Sequence, residues 1–248
     1  MIKFFSKIRK NLLAKKTFRE YLLYAFGEIV LVVVGILIAL QINNWNEQKK
    51  QEEKERAFLK EINLDFKSNK EQLDSIIDFN KINFHAGSRL SEILKAFDFE
   101  NPKRTETNYK IADSIQYYND LIWRNKSFNP KNGTVEALLN SSSFDLIIND
   151  TLRRNLISWK DVLNDYLEEE KLAMNFIFYE YGPWARASFD PNKDDDPENT
   201  KALFSKRHRN FIYQRTGDLQ NVLSAVKAEG IVNMINDIIR LTESKTDD

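Results

Sequence analysis

Residues 21–46 read YLLYAFGEIVLVVVGILIALQINNWN, and this stretch decides the architecture. As an α-helix, residues 21–42 would rise ~33 Å, enough to cross a hydrocarbon core of ~30 Å. Between 29 and 42, eleven positions are Ile, Val or Leu. Each favours insertion by ~0.3–0.6 kcal/mol, roughly 4 kcal/mol together. The strongly polar residues are Gln41 and Glu28. Glu28 lies near an end, where an acidic side chain costs less than the ~2.5–3.5 kcal/mol it costs at the bilayer centre. The apolar sum wins, and a transmembrane helix is expected over 21–46. Tyr21, Tyr24 and Trp45 stand where membrane-interface anchors stand.

Working outward, residues 1–20 carry Lys3, Lys7, Arg9, Lys10, Lys15, Lys16 and Arg19 against Glu20 alone, a net +6. Cations of this kind are retained on the cytoplasmic side. The far flank, 43–48, has none. The expected topology is a cytoplasmic N-terminus and an exported C-terminal part, which in a bacterium is a periplasmic domain anchored in the inner membrane. The apolar run is long and no small-residue cleavage site follows it, so an uncleaved signal anchor is expected. Ile2, Phe5, Ile8, Leu12 and Leu13 share one face of a basic segment, a pattern that suits a helix lying on the cytoplasmic leaflet as well as a simple topology-setting tail.

The chain has 248 residues, and no second apolar run of spanning length occurs in it. About 200 residues remain for one core beyond the span. With zero net charge overall, residues 1–42 carry +5 and the remainder −5. A mildly acidic domain argues against nucleic acid as a partner. The absence of cysteine excludes disulfides and Cys-based metal or redox sites. Seven Gly and five Pro point to helices rather than sheets.

After the span the charged run QKKQEEKERAFLKEI, free of helix breakers, continues the helix. Leu59, Ile62, Phe66, Asn69, Leu73, Ile76, Asn80 and Asn83 recur at spacings of three and four, and Leu90, Leu94 and Phe97 keep the register. That is the seam of a long helix packing on others. A second helix is expected over 109–124, then a turn at SFNPKNG (127–133) and a short helix over 134–139. Asp150 or Thr151 can cap a helix that Gly182-Pro183 ends. SFDPNKDDDPEN (188–199) reads as a loop, followed by helix from about 200 to 244, with Gly217 and Gly230 as candidate interruptions. The expected fold is all-α: a signal-anchor helix (21–46) after a basic segment (1–20), then a periplasmic antiparallel helical bundle (47–248), coiled-coil-like in its seams.

Within the span, Glu28, Val32, Gly35, Ala39 and Ile42 fall on one face, and Gly35 and Ala39 form a small-xxx-small pair. This face is the candidate for a membrane helix–helix contact. Asp190, Asn192, Asp194 and Asp196 alternate like a calcium loop, but its sixth position is Asp195 rather than Gly and its twelfth is Lys201 rather than Glu. A solvated loop is the better reading. His85 and His208 lack metal-ligand spacing and read as surface residues, His208 within the basic cluster Lys206, Arg207, Arg209. The Trp123, Trp159, Trp184 and FIFYEYGPW (176–184) aromatics read as core, with a ligand groove as the sharper alternative.

The IRKNLL segment followed by YAFGEIVLVVVGILIALQINNWNE resembles the start of an uncharacterised family of single-pass membrane proteins of Bacteroidota, a domain of unknown function (DUF6090-like). NGTVEALLNSSSFDLIINDTLRRNLISW resembles its second shared block. The resemblance implies an inner-membrane protein with a periplasmic helical domain. It implies no catalytic residue and no cofactor. Asp74-Ser75-Ile76, Asp113-Ser114-Ile115 and Asp150-Thr151-Leu152 are similar to a short O-glycosylation signal of such organisms, and the third reads equally well as a cap.

Two function classes fit these readings. One is a non-enzymatic scaffold or accessory subunit of an envelope complex, with the lipid bilayer and a membrane or periplasmic protein, or a second copy, as partners. The other is a periplasmic ligand-binding sensor. A sensor needs an output, and with no second span or transmitter read in the chain the first class is favoured. No catalytic, cofactor or metal site is expected.

Overall fold

A computed structural model of the chain describes residues 18–96, 106–193 and 196–243, apart from the side chains of residues 18, 20, 21, 96 and 106–113. Among the described residues every regular element is helical. The chain divides into two compact units, Met1–Glu55 and Arg56–Asp248. Helix α1, Phe18–Ala96, has residues in both.

In the first unit α1 has no core to cover its apolar surface. The large aliphatic side chains between Leu22 and Ile42 all stand open, from 42% exposed at Val30 to 69% at Leu31. Among the described residues α1 alone is long and apolar enough to cross a membrane.

In the second unit the seam of α1 is buried as its spacing requires. Leu59, Ile62, Phe66, Asn69, Leu73, Ile76, Asn80, Asn83, Leu90 and Leu94 are all inaccessible. Phe97 lies outside the described residues. Helix α2, Glu106–Ile122, returns antiparallel along α1. Ile115 and Ile122 pack with Leu90 and Leu94, and Asn83 donates to the carbonyl of Arg124 just past the end of α2.

The next segment is a correction. SFNPKNG forms no turn before its last residues; residues 124–131 carry no regular structure and lie along α1, and Asn132 (φ −118°, ψ −8°) bends into the next helix. Rungs join the two as one number rises and the other falls: Lys126 to Ser75, Asn129 to Gln72, Lys131 to Asn69 and Thr134 to Asp65. Geometry demands this. From residue 83 to 65, α1 covers ~27 Å, and about ten residues cross that distance only when nearly extended.

Helix α3, Gly133–Leu139, and a 3₁₀ turn, Ser142–Leu146, lead to α4, Asp150–Asn175. The N-cap of α4 is Asn149, whose side chain accepts the Leu152 N–H at 3.0 Å, so Asp150 and Thr151 lie inside the helix. Gly182-Pro183 does not end it either. Phe176–Tyr181 widen into a π turn and α5, Gly182–Ser188, follows directly. The Gly182 N–H reaches the carbonyl of Ile177, five residues back. That shift places Pro183 in the first turn of α5, where a missing N–H is harmless. A Cβ at Gly182 would lie 2.9 Å from the Ile177 carbonyl oxygen, so the residue must be small.

Helix α6, Pro197–Leu203, is capped by Asp196, and α7, Lys206–Ala228, by Ser205. Gly217 lies inside α7 without interrupting it, whereas Gly230 (φ 66°) separates α7 from α8, Ile231–Glu243. The larger core joins α1 residues 59–76 to α3, α4, α7 and α8, with Trp159 edge-on to Phe66 at 4.9 Å. A smaller core gathers Leu90, Leu94, Ile115, Ile122, Ile212 and Leu219.

Candidate functional site

Two places hold residues of functional interest, and each belongs to one unit. The first is the apolar part of α1. At ~100° per residue, Glu28, Val32, Gly35, Ala39 and Ile42 share an arc of ~80°. Val32, Gly35, Ala39 and Ile42 are exposed and Glu28 is half-buried. A Cβ at Gly35 would meet nothing within 4 Å. The groove over Gly35 and Ala39 is therefore open to another helix. Tyr24 lies at the same edge, half-buried, and Trp45 is 65% exposed. Arg19 is exposed; Lys3, Lys7, Arg9, Lys10, Lys15, Lys16 and the side chain of Tyr21 lie outside the described residues.

The second place is the end of the helical domain where the π turn, α5, α6 and α7 meet. His208, read from sequence as a surface residue, is fully buried there. His85 is exposed as expected. The imidazole of His208 is parallel to Trp184 (5.5 Å between centroids, 19°), with Trp123, Tyr181 and Phe189 within 6.3 Å. Trp123 stacks on Tyr181 at 3.3 Å, and its indole N–H donates to Asn119 at 3.0 Å. Nδ1 of His208 lies 2.7 Å from the carbonyl of Leu203. A carbonyl only accepts, so Nδ1 carries the proton and Nε2 is the bare nitrogen. Nε2 is buried with no hydrogen-bond partner. Burial pushes the imidazole pKa down to about 4, against a small opposing effect of the Leu203 bond.

Further polar groups lie in the seams. Arg215 is 2% exposed and spends its guanidinium on carbonyls: Nε on Ile122 and Nη2 on Arg124, both at 3.1 Å, and Nη1 on Ala173 at 3.5 Å. It closes the C-terminal end of α2, where a cation is favoured. Burial lowers its pKa to about 10, with Asp218 opposing, so it remains charged at neutral pH. Glu170 accepts the Phe128 N–H at 3.0 Å and the Tyr166 hydroxyl at 2.8 Å, and burial raises its pKa. The tyrosine is raised by burial as well.

The other sequence candidates are structural or solvated. Asp190 accepts the Asn192 N–H, Asp196 caps α6, and Asn199 donates to the carbonyls of Asp190 and Lys193. Residues 194 and 195 lie outside the described residues, and among those described no cluster of His, Asp or Glu has the form of a metal site. Lys206 and Arg207 are exposed, with Arg207 over the Phe211 ring at 5.5 Å. Ser75 accepts from Lys126, and Thr151 is exposed.

His208, Arg215 and Glu170 were missed, yet the signal was present. His208, Ile212, Arg215, Leu219 and Val222 are spaced 4, 3, 4 and 3, and Glu170 continues the run Leu152, Leu156, Trp159, Leu163, Tyr166. A polar residue at a seam position is buried with its neighbours.

These observations define an all-α protein with one exposed, apolar helix of membrane length and a helical domain whose buried polar groups tie its own elements together. The chain belongs to a family of unknown function (DUF6090), whose model matches residues 28–176, more than half its length. The match ends where the π turn begins, so α5 to α8 and His208 lie beyond it. No curated protein and no solved structure matches the chain.

Proposed function

We propose that this is a bacterial inner-membrane protein whose α1 spans the bilayer, with residues 1–20 cytoplasmic and the helical domain periplasmic. It acts as a non-enzymatic scaffold or accessory subunit of an envelope complex. The observation that carries this reading is the bare apolar stretch of α1, on which Gly35 and Ala39 leave room for a helix of a membrane partner or a second copy. Aqueous exposure of so much aliphatic surface is unfavourable, and lipid or another span relieves it. The cations of residues 1–20 support the orientation. The non-enzymatic part is supported by where the shifted groups lie: Glu170 and Arg215 are spent on backbone partners, and His208 is sealed among rings.

A phosphatase reporter fused after Asp248 is expected to be active and a cytoplasmic fluorescent reporter there dark; the reverse would overturn the topology. Crosslinking in membranes followed by mass spectrometry would identify the partner. Recovery of the chain only as an uncrosslinked monomer would overturn the scaffold reading.

A second reading, a periplasmic ligand-binding sensor that signals through a membrane partner, draws on the half-buried rings of Trp123, Trp184, Phe189 and Phe211. It requires a small molecule that changes the fluorescence of Trp123 or Trp184.

A further inference from the structure

The buried imidazole does three structural jobs. His208 occupies the first turn of α7, with its N–H donating to the Ser205 hydroxyl at 3.1 Å. Its Nδ1–H closes the carbonyl of Leu203, one of the groups left open at the end of α6. Its ring is covered by Trp184 of α5, by Phe189 just after α5, by Tyr181 of the π turn and by Trp123. All of this requires the neutral ring.

We propose that His208 is an acid-operated latch: the neutral imidazole holds α5 and α6 on α7, and a proton added at Nε2 releases them while the larger core of the helical domain stays folded. Protonation places an N–H where the structure offers no acceptor, and a charge on a ring with no solvent-exposed surface. The stacked indole of Trp184 attracts the cation weakly. The cost of burying an uncompensated ion is larger, so the cage does not rescue it. The first turn of α7 is the positive end of a long helix and disfavours a cation further.

The elements around the ring carry Asp120 (α2), Glu180 and Tyr181 (the π turn), Arg186 (α5), Asp190 and Lys193 (the following loop), Asp196, Glu198 and Lys201 (α6 and its cap) and Lys206, Arg207 and Arg209 (α7). None of these groups displaces the titration of His208, which burial and the Leu203 carbonyl alone set. The folded value of about 4 lies below the ordinary ~6.5 of a released histidine. The released form therefore binds more protons between these values, and closure weakens as pH falls through that window. Release spares the larger core, from Leu59 to Ile76 and across α4 and α8, which shares no side chain with the latch, whereas Trp123, Leu203 and Phe204 join the latch to the smaller core.

The test is hydrogen exchange by mass spectrometry on the full chain in detergent, with labelling times corrected for intrinsic rates. Between pH 7 and 4.5, the opening of peptides from α5 and α6 is expected to rise by about fifty-fold, while α4 peptides stay protected. His208→Asn keeps an N–H on Cγ, where Nδ1 donates to Leu203, but does not titrate in this range, and its opening is expected to be the same at both pH values. Unchanged opening in wild type, or the same rise in His208→Asn, would overturn the latch. If the variant fails to fold, the wild type decides alone. It has two histidines, and replacing the exposed one (His85→Gln) leaves the His208 ring resonance alone, with a midpoint expected well below 6. A midpoint at or above 6 for that resonance would also overturn it.

Discussion

Asn69 and Lys131 exchange two hydrogen bonds, the Asn69 amide donating to the Lys131 carbonyl at 3.0 Å and the Lys131 N–H donating to Oδ1 at 2.7 Å. One side chain of α1 thus does for the extended segment what a neighbouring strand does in a sheet. Asn69 is 2% exposed, so its amide has no solvent to turn to.

Asn69→Leu should therefore be more damaging than its apolar gain suggests. It leaves the partly buried N–H and C=O of Lys131 without these partners, each costing up to about 1–3 kcal/mol. A loss of about 2–4 kcal/mol is expected in denaturant unfolding of the full chain in detergent. Stability equal to wild type would show that the pair is dispensable.

Glu170 gives a prediction with a pH dependence. Burial raises its folded pKa above the ~4.3 of an unfolded glutamate. The folded form then binds more protons, so wild type is at full strength below ~4.3 and loses stability as pH rises toward the folded value. Glu170→Gln still accepts the Phe128 N–H and removes that loss, so it should gain on wild type as pH rises from 4 to 7. Glu170→Ala leaves the Phe128 N–H unpaired, and should be about 1–3 kcal/mol less stable than the glutamine variant. Parallel pH profiles for wild type and Glu170→Gln would contradict this account.

Much of the fold was legible because one rule, apolar spacing of three and four, is local. It located the seam of α1 and buried Asn69 and Asn83 correctly within it. The same rule applied to α7 would have buried His208 and Arg215, but their charge and the neighbouring Lys206, Arg207 and Arg209 pointed outward. The course of residues 124–131 was not legible, because the Asn, Pro and Gly of SFNPKNG are equally the residues of a turn. What decides is the distance between the end of α2 and the start of α3, and that is fixed only by tertiary packing. The continuation through Pro183 was hidden likewise. A proline ends an α-helix locally, and the π turn that accommodates it carries no simple sequence signature.

Two glycines should behave oppositely, Gly182 because of that π turn and Gly217 because it lies in an ordinary helix. Gly182→Ala drives a Cβ to 2.9 Å from the fixed Ile177 carbonyl and should cost about 1–3 kcal/mol. Gly217 lies inside α7, and a methyl group placed there would have nothing within 4 Å, so Gly217→Ala should stabilise by about 1 kcal/mol through helix propensity alone. Thermal unfolding of both variants tests the pair. A Gly182→Ala variant as stable as wild type would refute the stated role of the π turn.

The span offers the sharpest test of the proposed function. Its candidate face carries Glu28, Val32, Gly35, Ala39 and Ile42, and close approach of two helix backbones depends on the missing side chain at Gly35. Gly35→Ile fills that groove, whereas Val33→Leu changes a side chain on the opposite side and meets lipid in either case. Interhelical hydrogen bonds in membranes average ~0.6 kcal/mol, so Glu28→Gln should change association little and Glu28→Leu somewhat more. Steric exclusion at Gly35 has no such ceiling, because every contact along the face is lost when the backbones are held apart. Energy transfer between labelled spans in lipid vesicles should therefore fall sharply for Gly35→Ile and persist for Val33→Leu. Equal transfer for both and for wild type would mean that this face makes no close contact between copies and that the span acts only as an anchor in that setting.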